Sequence, residues 1–377
     1  SGVGVVLTYR AHLITSAAAF TDAIEDLWDT WASDTPGATA MQRWAWVGAN
    51  IDRVPRGMFV GLILRDSDDL PVAAAAFKRT GLGVLVPIGD GVSDYLDIAV
   101  SPDAPPTTID HLIDAISEQA PAVLFRQCHP HGPLGRAFRG AMEDGEACPV
   151  LALAPTVEEQ QLAIPKRLRQ NLNYADRALR KQASEVTYRI ADQDSLASDI
   201  DACIRLHQDR WRRRWMPGTF AGDAHKLWFA DVSQRLLNAG LLRLHTLSVD
   251  DKVIAAIYCM TSGGTTIYYL GGFDQDYHKW SPGMLATRAA ILHAVSADKS
   301  HTFDFLRGNE PYKYRWGAID RLNMRLLLTR GPYGTAICAL ERQRFALELK
   351  LKDRMHNLHA GKSAHARPDA VSDKINP

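Results

Sequence analysis

Residues Ile267 to Val295 read IYYLGGFDQDYHKWSPGMLATRAAILHAV, and Phe303 to Gly317 continue as FDFLRGNEPYKYRWG. An apolar strand pattern ending at Gly271 and Gly272 passes through a polar loop into a helix opened by Ser281-Pro282-Gly283. Ser is a favoured N-cap and Pro a favoured first-turn residue. A helix that starts directly beyond a strand aims free N–H groups at whatever sits there, which suits a pyrophosphate. Gly283 leaves room for such a group, with Met284 and Leu285 completing the turn; the same residues also suit an ordinary capped helix. Asp304 then stands in a short strand between Phe303 and Phe305. A carboxylate in that setting must be exposed, paired or functional. Paired with Arg307 or Lys313 it fixes the turn; otherwise it is a candidate base. Glu310, Tyr312, Lys313, Tyr314 and Arg315 cluster just beyond it.

Outward from this stretch, both halves of the chain show one order of elements. In the first, Phe20, Ile24, Leu27 and Trp31 fall at helical spacing. Short apolar runs at Met58–Leu64, Val72–Phe77 and Gly83–Pro87 suit an antiparallel meander. A helix at Thr107–Ser117, a strand at Ala122–Phe125, a helix after Gly132 and a closing strand at Pro149–Ala154 follow. Pro155 to Gln161 is polar and reads as a linker. The second half gives helices at Pro165–Gln182, Ser195–Arg213 and Ala224–Asn238, then strands at Leu241–Val249, Val253–Thr261 and Thr265–Gly271. Next come a helix at Pro282–Ala297, a strand at Thr302–Leu306, a short helix near Tyr312, a strand at Asn323–Leu328 and a final helix over Ile337–Leu358. Antiparallel strands followed by strand–helix–strand indicate an α/β fold, a mixed and mostly antiparallel sheet flanked by helices, built twice in tandem. The expected units are residues 1–155, 156–335, a C-terminal helix at 336–360 and a disordered tail at 361–377.

The 377 residues suit two domains. Lys plus Arg equal Asp plus Glu at 43 each, so bulk nucleic-acid binding, which needs a basic excess, is disfavoured. Five widely spaced cysteines without a CxxC pair read as reduced thiols. No apolar run reaches membrane-spanning length, and the opening residues lack a secretory pattern, so a cytoplasmic protein is expected. The histidines lack ligand spacing, so no metal is expected.

The order YYLGGFD, SPGML, FDFLRGNEPYKYRWG resembles the acetyltransferase family named for CelD/BcsL, associated with cellulose and other exopolysaccharide synthesis. That family is FemAB-like and belongs to the GNAT superfamily. GDGVSDYLDIAV at Gly89–Val100 and PKRLRQNLNYADRALRK at Pro165–Lys181 resemble further segments of it. The resemblance spans residues 20 to 330 or so. It implies tandem GNAT-like domains, with acetyl-CoA bound by the second and the first shaping the acceptor cleft. The usual GNAT phosphate loop is replaced here by His278-Lys279-Trp280-Ser281-Pro282-Gly283.

On this reading the donor site comprises Tyr269, Leu270, Gly271, Ser281, Pro282, Gly283, Met284 and Leu285. Amides at the end of the Tyr268–Gly271 strand polarise the thioester carbonyl, Asp304 or Glu310 takes the acceptor's proton, and Tyr312 or Tyr314 protonates the leaving thiolate. The helix at 165–182 turns Leu168, Leu172, Ala175 and Leu179 inward, and places Lys166, Arg169, Asn173, Arg177 and Arg180 on another side. That basic stripe is either a solvated face or a phosphate site for a nucleotide-linked or lipid-linked saccharide acceptor. Asp94, Tyr95 and Asp97 are sugar-binding candidates or turn caps. His207 and Trp211, with Arg214, suit stacking on a sugar or base. In the last helix Leu340, Leu347, Leu351, Met355 and Leu358 form a stripe expected to dock on the body or a partner. Its cations offer the other reading, a peripheral contact with a cyclic dinucleotide or an anionic membrane. Two alternatives stand beside acetyl transfer: aminoacyl transfer from charged tRNA, and a non-catalytic ligand-binding module of a secretion system.

Overall fold

The computed structural model describes residues 8–212 and 218–365. In the first half, β1 (Arg10–Ile14), α1 (Ala17–Asp34) and α2 (Trp44–Ile51) precede β2 (Phe59–Arg65), β3 (Pro71–Arg79), β4 (Leu85–Pro87) and β5 (Ala99–Val100). They are followed by α3 (Thr107–Ser117), β6 (Ala122–Cys128), α4 (Pro133–Ala137) and β7 (Glu143–Ala152). The second half opens with α5 (Val157–Ala163), α6 (Lys166–Gln182), β8 (Val186–Ile190), α7 (Leu196–Arg212) and α8 (Asp223–Asn238). Then come β9 (Leu242–Val249), β10 (Lys252–Ser262), β11 (Thr265–Phe273), α9 (Pro282–Ser296), β12 (Thr302–Asp304), α10 (Pro311–Tyr314), β13 (Ile319–Thr329) and α11 (Gly331–His365).

These strands form one mixed sheet in the order β1-β2-β3-β4-β6-β13-β7-β12-β11-β10-β9-β8, with β5 on β3. Each half contributes one parallel contact, β4 with β6 and β11 with β12, and the rest is antiparallel. The closing strands are exchanged: β13 lies against β6 of the first half, and β7 lies against β12 of the second. Strands β4 and β5 share one edge of β3, at Phe77–Arg79 and at Ala73–Ala74. Together they occupy the place that β11 alone holds in the second half, with residues 88–98 looped out between them.

Several element boundaries differ from the sequence reading. In α1 the buried positions are Phe20, Ile24, Trp28 and Trp31, while Leu27 stays exposed. At 100° per residue either neighbour could close the stripe. Trp28 wins because its indole N–H reaches the Gln42 carbonyl at 2.8 Å. The polar stretch read as a linker forms α5, capped by the Thr156 hydroxyl on the Glu159 amide. Helix α11 starts at Gly331 and continues to His365, so it includes the first residues of the expected tail; residues 366–377 lie outside those described. Leu340, Leu347 and Leu351 face solvent rather than the body. The packed side is set instead by Cys338 and by Glu341, whose carboxylate takes the Arg126 guanidinium at 2.7 Å. An ion pair that satisfies the buried Glu341 carboxylate outweighs a leucine stripe that can remain wet. No helix among the described residues is long and apolar enough to cross a membrane.

Two adjacent glycines fix how β11 is covered. A Cβ on Gly272 would stand 2.5 Å from the Leu206 carbonyl carbon and 2.6 Å from the His207 amide, so α7 rests directly on the strand. Neither contact can yield, because both are backbone. Gly272→Ala is expected to lower stability by about 1–3 kcal/mol, read as a shifted denaturation midpoint at constant m-value.

Candidate active site

Strand β11 pairs with β12 only from Thr265 to Ile267. Beyond that the two diverge, because the chain leaves β12 at Asp304 and turns through Leu306 and Gly308, both at positive φ. The far half of β11, Tyr268 to Phe273, therefore has β10 on one side and an opening on the other. The Asp274 amide bonds to Ile254 of β10. By strand alternation the amides of Gly271 and Phe273 point the opposite way, into the opening.

A cavity of ≈ 440 Å³ occupies this place. Its floor is Ile257, Tyr268, Gly271 and Phe273, one wall is Gly283, Met284 and Thr287 of α9, and Tyr312 and Arg315 close the far side. Gly271 keeps it open, since a Cβ there would meet the Tyr268 hydroxyl at 2.2 Å. The register slips between Tyr258 and Cys259, leaving Tyr269 as an extra residue in β11. This bulge turns Tyr269 and Leu270 to the same core beside Trp46 and Tyr258, and so puts Tyr268, Gly271 and Phe273 together on the cavity side. Arg315 lines the cavity and forms no ion pair among the described residues.

Of the expected donor-site residues, Gly271, Gly283 and Met284 line the cavity. Leu285 is core, Pro282 is buried at the first helical position, and the Tyr269 hydroxyl donates to the Val92 carbonyl at 3.1 Å. Ser281 does not cap α9 with its side chain. It sits at φ 51°, closing the preceding turn onto His278 and opening the next helix at once, and its backbone carbonyl takes the amides of Met284 and Leu285.

The expected catalytic residues separate. Tyr312 stands in the cavity, against Tyr268 and Phe305. Asp304 does not: it is fully buried and accepts from the Tyr95 hydroxyl at 2.7 Å, the Leu306 amide at 2.8 Å and the Arg321 guanidinium. Burial raises its pKa, and Arg321 opposes that rise. Its partners are thus neither Arg307 nor Lys313. The pairing partner came from β13, distant in sequence, because the strand exchange brings β13 beside β7. Tyr314 turns away to Asp320 at 2.6 Å. Lys313 is buried, and its ammonium donates to the carbonyls of Leu306, Arg307 and Gly308 while pairing with Glu310 at 2.9 Å. It fastens the loop that carries Tyr312 and is not available to a substrate. Glu310 is about half exposed beside it.

The expected substrate residues are largely committed to the protein itself. Tyr95 is fully buried in the Asp304 knot. Asp94 takes the Arg307 side chain at 2.5 Å and its amide at 3.0 Å, tying loop 88–98 to the β12 loop. Asp97 accepts the Leu134 amide at 3.1 Å and so caps α4. On α6, Arg169 closes the end of α5 through the carbonyls of Gln161 and Leu162, and Asn173 accepts from Arg288 at 2.8 Å. Arg177 remains exposed. His207 lies against the Phe220 ring on the α7 face of β11, with the strand between it and the cavity. The side chain of Trp211 and the residues Arg214 and Trp215 lie outside those described. Among the described residues, no three His, Cys, Asp or Glu converge as metal ligands do.

Asp97 gives a pH signature. Burial raises its carboxyl to about 7, against lowering by the Ile98 and Leu134 amides. A carboxyl raised in the folded state contributes stability that is complete below the unfolded value near 4 and is lost as pH rises through the folded one. Stability is therefore expected to fall between pH 4 and 7, by at most about 4 kcal/mol. Asp97→Asn should flatten that slope in denaturation curves taken across the window.

Residues 166–314 match the family model described as acetyltransferase (GNAT) domain. Among solved structures, FemX superposes with a TM-score of 0.58 at 11% identity, covering 81% of this chain and 96% of FemX. The C-terminal domain of a putative lysylphosphatidylglycerol synthetase from Agrobacterium fabrum gives 0.53 at 13% identity, covering 86% and 96%. L-PGS from Bacillus licheniformis gives 0.51 at 13%, covering 84% and 95%. No curated protein matches the sequence. The chain thus has the GNAT-type acyltransferase fold, and the cavity opens where its two parallel strands part.

Proposed function

We propose that this protein is an acyltransferase that takes an acyl group, acetyl in the simplest case, from a coenzyme A thioester to an amine or hydroxyl of a saccharide acceptor. The observation that carries this reading is the cavity at the divergence of β11 and β12. It offers two strand amides, a helix opening on Gly283, and a phenol at Tyr312. The thioester carbonyl lies on the amides of Gly271 and Phe273, which hold the oxyanion as the nucleophile adds. The carbon–nucleophile bond forms, the carbon–sulfur bond breaks, and the Tyr312 hydroxyl gives its proton to the sulfur. The acceptor's proton goes to Glu310, the half-exposed carboxylate at the start of α10. Asp304 stays a scaffold residue. No covalent enzyme intermediate is required. The saccharide acceptor, and a role in exopolysaccharide synthesis, rest on the resemblance of the sequence motifs, and a cytoplasmic location agrees with them.

The test is thiol release from acetyl-CoA with glucosamine or a nucleotide-linked amino sugar as acceptor. Tyr312→Phe is expected to lower kcat about 10²-fold with KM nearly unchanged. A thioester with a more acidic leaving thiol should narrow that gap. No release with any such acceptor would count against the reading.

The fold likeness to a lysylphosphatidylglycerol synthetase domain favours a second reading, aminoacyl transfer from charged tRNA. Transfer of a labelled aminoacyl group from tRNA, with no response to acetyl-CoA, would select it.

A further inference from the structure

The tandem architecture has a second consequence, on the first half of the chain. The end of β5, the first turn of α3 and the short helix α4 stand in the places that the end of β11, the first turn of α9 and α10 hold in the second half. At that equivalent position lies another cavity, of ≈ 500 Å³. Arg136 of α4 lines it as Arg315 beyond α10 lines the first, each a few residues after a helix-opening proline, Pro133 and Pro311.

The chemistry of the two differs. The turn into α3 reads Pro105-Pro106, which lack N–H groups, and of the three amides that follow, those of Thr108 and Ile109 are spent on the Pro105 and Pro106 carbonyls at 2.9 and 3.3 Å, which leaves that of Thr107. A pyrophosphate gains little there. The walls are instead rigid and apolar, with Pro36, Pro102 and Pro133 beside Ile109. Two opposite charges line the same cavity: Asp34, at the end of α1, and Arg136. Neither forms an ion pair among the described residues, although Asp34 accepts from the Ser33 hydroxyl at 3.1 Å. Opposite charges held apart over an apolar surface match a ligand that carries an ammonium, a carboxylate and an apolar body.

We infer that the first half carries a second ligand site, bounded by Asp34, Arg136 and the proline walls, which takes a small zwitterion of the free amino-acid class with an apolar side chain. The ammonium meets Asp34, the carboxylate meets Arg136, and the side chain lies on the prolines. The site is independent of the donor cavity and holds whichever donor that cavity takes.

The experiment is calorimetric titration of the full chain with L-leucine and with L-phenylalanine. Two leucine analogues serve as controls: 4-methylpentanoate, without the ammonium, and 3-methylbutylamine, without the carboxylate. One molecule bound per chain is expected, with each analogue weaker by about tenfold or more. Arg136→Gln and Asp34→Asn should weaken the amino acid to a similar degree at unchanged denaturation midpoints, since both side chains are exposed. Gly283→Glu, in the donor cavity, should leave it unaffected. Absence of heat from both amino acids, binding by either charge variant as tight as by the parent, or loss of binding in Gly283→Glu would each overturn the inference.

Discussion

Asp304→Asn is expected to destabilise the protein by about 3–5 kcal/mol, whatever it does to turnover. The carboxylate is fully buried and joins three segments: Tyr95 from the loop between β4 and β5, Arg321 from β13, and the Leu306 amide just beyond β12. Asparagine keeps the volume but leaves the largely buried Arg321 guanidinium without a counter-charge, and half of its own head group becomes a donor facing donors. Breaking a buried pair from one side is costly because the surviving charge keeps its desolvation penalty and loses its compensation. The halves meet at this point, so chemical denaturation should show a lower midpoint without a new intermediate. Activity measured well below that midpoint should stay within a few-fold of the parent. An unchanged midpoint with abolished turnover would return Asp304 to the chemistry and remove it from the scaffold.

Gly283→Glu is expected to remove donor binding while leaving the fold intact. Gly283 is partly exposed in the first turn of α9, and a Cβ there would approach only the Phe273 ring, at 3.0 Å. A ring at a cavity edge can move by the few tenths of an ångström required. Glutamate is a better helix former than glycine and is favourable near a helix N-terminus, so the denaturation midpoint should not fall. Its carboxylate, however, occupies the space and the sign of charge that the phosphates of coenzyme A need. The loss should appear in kcat/KM, by about 10² or more and chiefly through KM. Gly283→Ala is the companion variant, and should cost far less because it adds bulk without charge.

Much of this was legible in the sequence because its signals are local. The strand start at Thr265, the Pro282 helix start, the short helix after Pro311 and the inward face of α6 all follow from periodicity and punctuation and stand where the sequence puts them, while the strand itself runs past Gly271 to Phe273. The exchange of β7 and β13 was not legible, since nothing local tells a closing strand which parallel strand it will join. That exchange also decides the role of Asp304: its partner Arg321 lies 17 positions away on an exchanged strand, so a paired carboxylate looked like a candidate base. The bulge at Tyr269 hid the cavity floor in the same way. Strict alternation groups Tyr269 with Gly271, whereas one extra residue groups Tyr268 with Gly271. Arg315 was visible only as one of a cluster of charges after Asp304. What singled it out was the cavity wall, which is a property of two elements and not of one.

The most direct measurement is calorimetric titration of acetyl-CoA into the intact protein, repeated on Gly283→Glu. The expected result is one molecule bound per chain by the parent and none by the variant, with equal unfolding midpoints in the absence of ligand. No heat from the parent, or equal affinity in both proteins, would contradict a thioester site where β11 and β12 part.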